Sequence, residues 1–240
     1  MDDLNRRDFL KGSLKAGTAV LGLAMIAETA SSTLIRGAGA AEAAGLETGG
    51  SAATNSAKTT VRFPPIPPEQ MTDAQKSMVE AIASGPRGGF RGPYGPLLYS
   101  PETGSRVQKV GEHLRYNSAL PPRLSEFAIL ITGRFWTANY EWSMHRPQAI
   151  KAGLAESIID DLLHDRRPAG MQKDEEAIYD FCTALHKKHS INDELFERAT
   201  GLFGEQGIVD LIGLCGYYSL IAMVLNVAEI PAPPGGESPW

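Results

Sequence analysis

Pro121-Pro122-Arg123-Leu124-Ser125-Glu126-Phe127-Ala128-Ile129-Leu130-Ile131-Thr132-Gly133-Arg134-Phe135 places Leu124, Phe127, Ala128, Ile131 and Phe135 at steps of three and four residues, the period of a helix with one apolar face. Two prolines at its head suit a helix start, because proline fits the first turn and not the interior. The helical period continues in both directions. Downstream, a helix carrying Tyr140 to Ala152 stops at Gly153. A short helix follows over about 155–163, then one from 172 to about 189, one capped by Asn192 that ends at Gly204, and a last over about 206–227. Upstream, Thr72 and Gln75 form a capping box for a helix to about Ser84. Pro101-Glu102 opens another that ends near Tyr116. No segment alternates convincingly as a strand would. The expected fold class is all-α, a helical domain of about seven or eight helices.

The last helix is apolar nearly all round, from Ile208 and Val209 to Val224 and Leu225. Such a helix lies in the middle of a core or in a subunit interface. Its aspartate, asparagine and glycine content argues against a membrane span. Residues 85–100, Gly-Pro-Arg-Gly-Gly-Phe-Arg-Gly-Pro-Tyr-Gly-Pro-Leu-Leu-Tyr-Ser, read as a loop, either a surface excursion or a lid over a site.

Ahead of the helices the chain changes character. Asn5-Arg6-Arg7-Asp8-Phe9-Leu10-Lys11 precedes an apolar run from Ala16 to Ala27 and two small-residue exits, Ala38-Gly39-Ala40 and Ala41-Glu42-Ala43. That order is an export signal of twin-arginine type, and the run falls short of the about 20 residues of a membrane span. The expected organisation is a signal over 1–40, a Gly/Ala/Ser/Thr-rich flexible linker over 41–62, a helical domain over 63–230 and a loose tail over 231–240. The expected location is the periplasm or another exported compartment, with the twin-arginine translocation machinery as a partner on the way. The remaining chain is long enough for one ordinary core. A net charge of −5 and no basic run outside the signal give no nucleic-acid footprint. The two cysteines, Cys182 and Cys215, lie in apolar helical surroundings with no Cys-x-x-Cys spacing, so both are expected buried and unpaired.

Chemistry concentrates in Tyr140-Glu141-Trp142-Ser143-Met144-His145. Glu141 and His145, four apart, share a helix face. A carboxylate beside an imidazole raises its pKa and fixes its tautomer, which makes a proton donor or acceptor usable near neutral pH. An ordinary surface Glu–His pair is the plain alternative. Glu126 sits near the apolar stripe of its helix, where a carboxylate needs a partner. Arg134, eight residues on, is one candidate, and a boundary position reaching solvent is the other reading. Glu141 and His145 with Glu126 or His113 could also hold a metal, on weak spacing. His186 and His189 look like a solvated helix end. Tyr217, Tyr218 and Asn226 either line a pocket or pack.

The stretches Leu120-Pro-Pro-Arg-Leu-Ser-Glu126-Phe-Ala-Ile-Leu, Tyr140-Glu-Trp-Ser-Met-His145 and Ala149-Ile-Lys-Ala-Gly153-Leu resemble the carboxymuconolactone decarboxylase family of the alkylhydroperoxidase AhpD-like superfamily. The resemblance implies an all-α domain, assembly as a homotrimer or homohexamer, and cofactor-independent, lyase-like chemistry on a carboxylated lactone or aromatic-derived acid. The peroxidase branch's pattern, Glu-x11-Cys-x2-Cys-x3-His, puts its cysteines on Ala138 and Glu141 here, so that thiol chemistry is lost. The decarboxylase branch carries Glu-x3-His, as this chain does. By that resemblance His145 transfers a proton, Glu141 orients it and Glu126 completes the relay, with no cofactor and no metal. Arg134, Arg87 or Arg91 would bind the substrate carboxylate, with Trp142 and Tyr217 as further contacts. A non-catalytic oligomeric binding protein that kept the fold and its pocket is the rival expectation, ahead of a metal-assisted enzyme and of an AhpD-like thiol peroxidase, which would need Cys182 or Cys215 for peroxide turnover.

Overall fold

The computed structural model describes residues 61–240. The expected export signal and all but the end of the expected linker lie outside the described residues. Eight α-helices follow a 3-10 turn at Pro68–Gln70: α1 (Asp73–Ala83), α2 (Tyr94–Leu97), α3 (Pro101–Tyr116), α4 (Pro122–Phe135), α5 (Asn139–Lys151), α6 (Glu156–Leu163), α7 (Lys173–Lys188) and α8 (Asp193–Ala228). The described residues contain no strand, and the all-α expectation holds.

The centre is α4. Every residue from Leu124 to Gly133 is buried, because α5, α7 and α8 all pack on it. Its start is clamped by Arg123, which pairs with Asp174 at 2.6 Å and with Glu175 at the head of α7. Trp136, Thr137 and Ala138 turn the chain from α4 into α5. Thr137 adopts φ 47, a left-handed conformation that tightens the turn. α4 and α5 thus form a helical hairpin, with Glu126 and His145 facing across it.

The α8 reading is sharpened. At Gly204 the backbone leaves helical geometry, with φ 68 and ψ 173, where the sequence ends one helix and begins the next. Only glycine takes that φ cheaply. Beyond the break, Leu211, Leu214, Tyr218, Ile221 and Leu225 are buried, while Val209, Ile212, Leu220, Met223 and Val227 stay exposed, Val209 by 67% and Val227 by 58%. By length and composition α8 passes for a membrane span, yet 56% of its most apolar window is buried inside the domain.

Two local expectations are corrected. Within 85–100 the chain makes a short helix, α2, whose Tyr94 and Leu97 are buried; Pro93, Gly95 and Pro96 hide it from a propensity reading. The end of the chain is held rather than loose. Trp240 exchanges hydrogen bonds with Asn139, at 2.6 and 3.0 Å, and its ring meets Trp142 edge-on at 5.3 Å. The Pro/Gly composition signalled looseness but carried no information about an aromatic anchor at the last position.

Candidate functional site

His145 is fully enclosed between two carboxylates. Its Nδ1 lies 2.6 Å from Glu126 Oε2, and its Nε2 lies 3.2 Å from Glu141 Oε2. Glu126 comes from the middle of α4. Glu141 stands one turn before His145, in the first turn of α5, where the helix dipole favours an acid. All three side chains are buried. Burial alone would push the imidazole below its ordinary value of 6.5. The Glu126 carboxylate, through charge and hydrogen bond, and then Glu141 outweigh it and raise the pKa to about 9. At neutral pH His145 is therefore an imidazolium that donates from both nitrogens, one proton to each carboxylate. The ring edge of Tyr218 closes a third side, with centroids 5.1 Å apart.

Beside this trio lies a small, partly open cavity of about 60 Å³. Glu141 and His145 reach it from α5, with Tyr140 and Met144 beside them. Glu126 does not line it. The opposite wall carries Arg87 and Arg91 from the 85–93 loop and Arg115 from the last turn of α3. None of these three guanidinium groups makes an ion pair among the described residues. Arg87 lies over the Tyr94 ring at 5.3 Å, its terminal nitrogen donates weakly to the Gln108 carbonyl at 3.4 Å, and its Nε is buried without a partner among the described residues. Arg115 is half-buried. Burial works against its charge, but Tyr218, Tyr116, Glu126 and Glu141 keep its pKa above the ordinary value.

Three tyrosines complete the lining. The Tyr94 and Tyr217 hydroxyls meet at 3.5 Å, and Tyr218 lies edge-on to Tyr217. Burial is the main cause that raises the pKa of each, so all three remain neutral hydroxyls, able to donate. Excess guanidinium charge and neutral donors are the chemistry that holds an anion, and a carboxylate–imidazolium relay is the chemistry that moves a proton. The cavity holds only a few waters, at about 10–15 Å³ each, and the 85–93 loop forms one wall of it. Gly88 and Gly92 in that loop take φ 64 and 61, conformations that a side chain would strain.

Of the residues singled out in the sequence, Glu126, Glu141, His145, Arg87, Arg91 and Tyr217 converge here. Arg134 does not: its Nε donates to the Leu163 carbonyl at 3.0 Å and its guanidinium covers the Trp240 ring. Nor does Trp142, which is buried behind α5 against Trp240. Asn226 donates to the Trp136 carbonyl at 2.8 Å. His113 is a poor third ligand, since its Nε2 faces Asp210 at 3.5 Å. Among the described residues no group of three or more His, Cys, Asp or Glu side chains is disposed to hold a metal. Arg115 was missed. Its signal was an arginine between two residues of apolar character, Leu114 and Tyr116, at a helix end. Comparison with protein-family models and with curated proteins returns no match for this chain.

Proposed function

We propose that this protein is a cofactor-independent, lyase-like enzyme that decarboxylates, or moves a proton on, a small carboxylated lactone or aromatic-derived acid. The observation that carries this reading is the enclosed Glu126–His145–Glu141 relay opening onto a cavity with three guanidinium groups that make no ion pair among the described residues. The motif resemblance to the carboxymuconolactone decarboxylase family points the same way, and membership in that family is part of the proposal.

The geometry supports one division of labour. A substrate carboxylate docks on Arg87, Arg91 and Arg115. The bond from the ring to that carboxylate breaks, carbon dioxide leaves, and the electron pair moves into the lactone carbonyl system. The neutral Tyr94, Tyr217 and Tyr218 hydroxyls stabilise the oxyanion that develops. The carbanion needs a proton: the His145 imidazolium passes its Nε2 proton to Glu141, the relay carboxylate that lines the cavity, and Glu141 hands it on to the carbon. Solvent returns one proton to His145 per turnover. Glu126, off the cavity, holds Nδ1–H and keeps the imidazole charged between turnovers. His145 thus acts as an acid behind Glu141, a refinement of the role read from sequence.

Export by the twin-arginine route to the periplasm belongs to the same proposal, supported by the order of residues at 1–40. Assembly as a homotrimer or homohexamer is supported by the exposed apolar residues along α8, which a second copy would cover.

The test is carbon dioxide release from a panel of carboxylated lactones and ring-cleavage acids by wild type, Glu141→Gln and His145→Gln. Turnover by wild type, with a loss of about 100-fold or more in each variant, is expected for removal of an acid–base group. Equal turnover in all three would sink the assignment. Saturable binding of an acid with no turnover by any would favour the rival binding-protein reading.

A further inference from the structure

The back of α5 carries a strap. Residues 236–240 run along the helix and meet it at four points on one face. Trp240 exchanges hydrogen bonds with the Asn139 side chain, at 2.6 and 3.0 Å. Its ring meets Trp142 edge-on at 5.3 Å, and the Arg134 guanidinium of α4 covers it at 5.1 Å. The Ser143 hydroxyl donates to the Glu237 carbonyl. Arg146 pairs with the Glu237 carboxylate at 3.1 Å. Residues three, four and seven apart share a helix face, so Asn139, Trp142, Ser143 and Arg146 form one row. Glu141 and His145 lie on the opposite face, where His145 meets Glu126 and both reach the cavity. The strap comes closest at Gly236, where a Cβ would stand 2.9 Å from Ser143 Oγ and 2.9 Å from the Pro233 carbonyl.

Left to itself, α5 is a weak helix. Its N-cap, Ala138, makes no side-chain hydrogen bond to the first turn, so a main local source of helix stability is missing. Pro147 stands inside the helix. It has no N–H to offer the Ser143 carbonyl, and its ring crowds that turn. The contacts of the strap cover the stretch from the uncapped start to the residue before this proline. From the other side, Gly133 of α4 lets α5 come near, since a Cβ there would stand 3.6 Å from Glu141 Cβ, already in contact. The helix that carries Glu141 and His145 is thus held between α4 and the strap.

We propose that residues 236–240 are a positioning element for the site, anchored by Trp240, which press α5 onto α4 and so set the reach of His145 to Glu126. The Trp240 ring lies between Arg134, near the end of α4, and Trp142, which is fully buried and next in sequence to Glu141. One side chain thus joins both arms of the α4–α5 hairpin. The relay spans 2.6 and 3.2 Å, and hydrogen bonds weaken steeply beyond such distances, so a small tilt of α5 breaks it before the domain unfolds. Arg87, Arg91 and Arg115 stand on other elements, so the strap acts on proton transfer and leaves anion docking alone. That consequence rests on the lyase-like reading; the hold on His145 does not.

The experiment follows the His145 ring by NMR in the full chain, with isotope-labelled histidine, as pH is raised through the window in which it titrates. In wild type the ring stays charged up to about 9. In Trp240→Ala the midpoint should fall toward 6.5, by about one pH unit or more, a tenfold loss of proton affinity. Gly236→Val, whose side chain lifts the strap off Ser143, should move it the same way. Trp240→Phe keeps an aromatic ring between Trp142 and Arg134 and should restore the wild-type midpoint. On an acid that wild type turns over, Trp240→Ala should lower kcat by at least about tenfold, the scale of a misplaced reacting group, with KM within about twofold. An unchanged midpoint in Trp240→Ala and Gly236→Val overturns the proposal even if their melting temperatures fall, because that is the pattern of a strap that only stabilises. If Trp240→Ala does not fold, Gly236→Val decides. A midpoint that shifts in a protein that turns over no acid would sink the lyase-like reading and leave the strap in its role.

Discussion

The central helix α4 faces two buried histidines, and they differ in what stands beside them. His145 has a carboxylate at each ring nitrogen, at 2.6 and 3.2 Å. His186 has a hydroxyl at Nε2 and the Phe135 ring stacked on it with centroids 4.8 Å apart. The first environment creates a buried charge and presents it to a cavity rich in guanidinium groups. The second offers its imidazole a hydroxyl and an aromatic face. One helix thus separates a histidine held by two carboxylates from one held by neutral groups, and the partner atoms, rather than burial, decide which is which.

The largest effect should come from breaking the charged side. Glu126→Ala leaves a buried imidazolium with one partner instead of two. Removing one member of a buried ion pair costs about 3–5 kcal/mol, which chemical denaturation will read as a lowered midpoint. A loss under about 1 kcal/mol, the scale of an exposed pair, would mean that Glu126 and His145 are not paired in solution.

Next in size is the response to pH. The folded His145 holds its proton up to about 9, against 6.5 unfolded. Its contribution to stability is complete below 6.5 and is lost as pH rises through 9, with a magnitude on the order of 3 kcal/mol. Unfolding free energies measured from pH 6 to 10 should fall across that window in wild type and in His186→Gln. In His145→Gln the fall should vanish. A fall that persists without His145 would assign the titration to another group.

A third effect lies at the cavity wall. Gly111 in α3 sits directly under the Tyr217 ring, so a Cβ there would overlap the phenol. Gly111→Ala should cost about 1–3 kcal/mol by overpacking and press Tyr217 toward the cavity, so substrate affinity should fall along with thermal stability. An unchanged melting temperature would show that Tyr217 has room to move.

The same contrast marks what the sequence could reveal. The helices were legible because their apolar residues recur at three and four, and the Glu141–His145 pair because four residues make one turn. Partners across helices were not. Glu126 looked toward Arg134, but eight residues along a helix is about 12 Å, and the true partner came from α5. His186 was read as solvated because Lys187 and Lys188 follow it. Ile178, Cys182 and His186 are all buried at four-residue steps, a signal that the neighbouring charges masked. Arg115 and the cysteine contact depend on how α3, α7 and α8 pack, which no local spacing records.

The smallest effect is the one that separates the two histidines most cleanly. Thr132→Val keeps the shape of the side chain and removes the only hydroxyl at His186 Nε2. A buried hydrogen bond lost this way costs about 1 kcal/mol, with a further contribution from the unpaired imidazole nitrogen. Because Thr132 touches neither Glu126 nor His145, the fall in stability above neutral pH should keep its full size in this variant. A pH response that shrinks in this variant would mean that the two histidines communicate through α4, and the separation drawn between them would have to be abandoned.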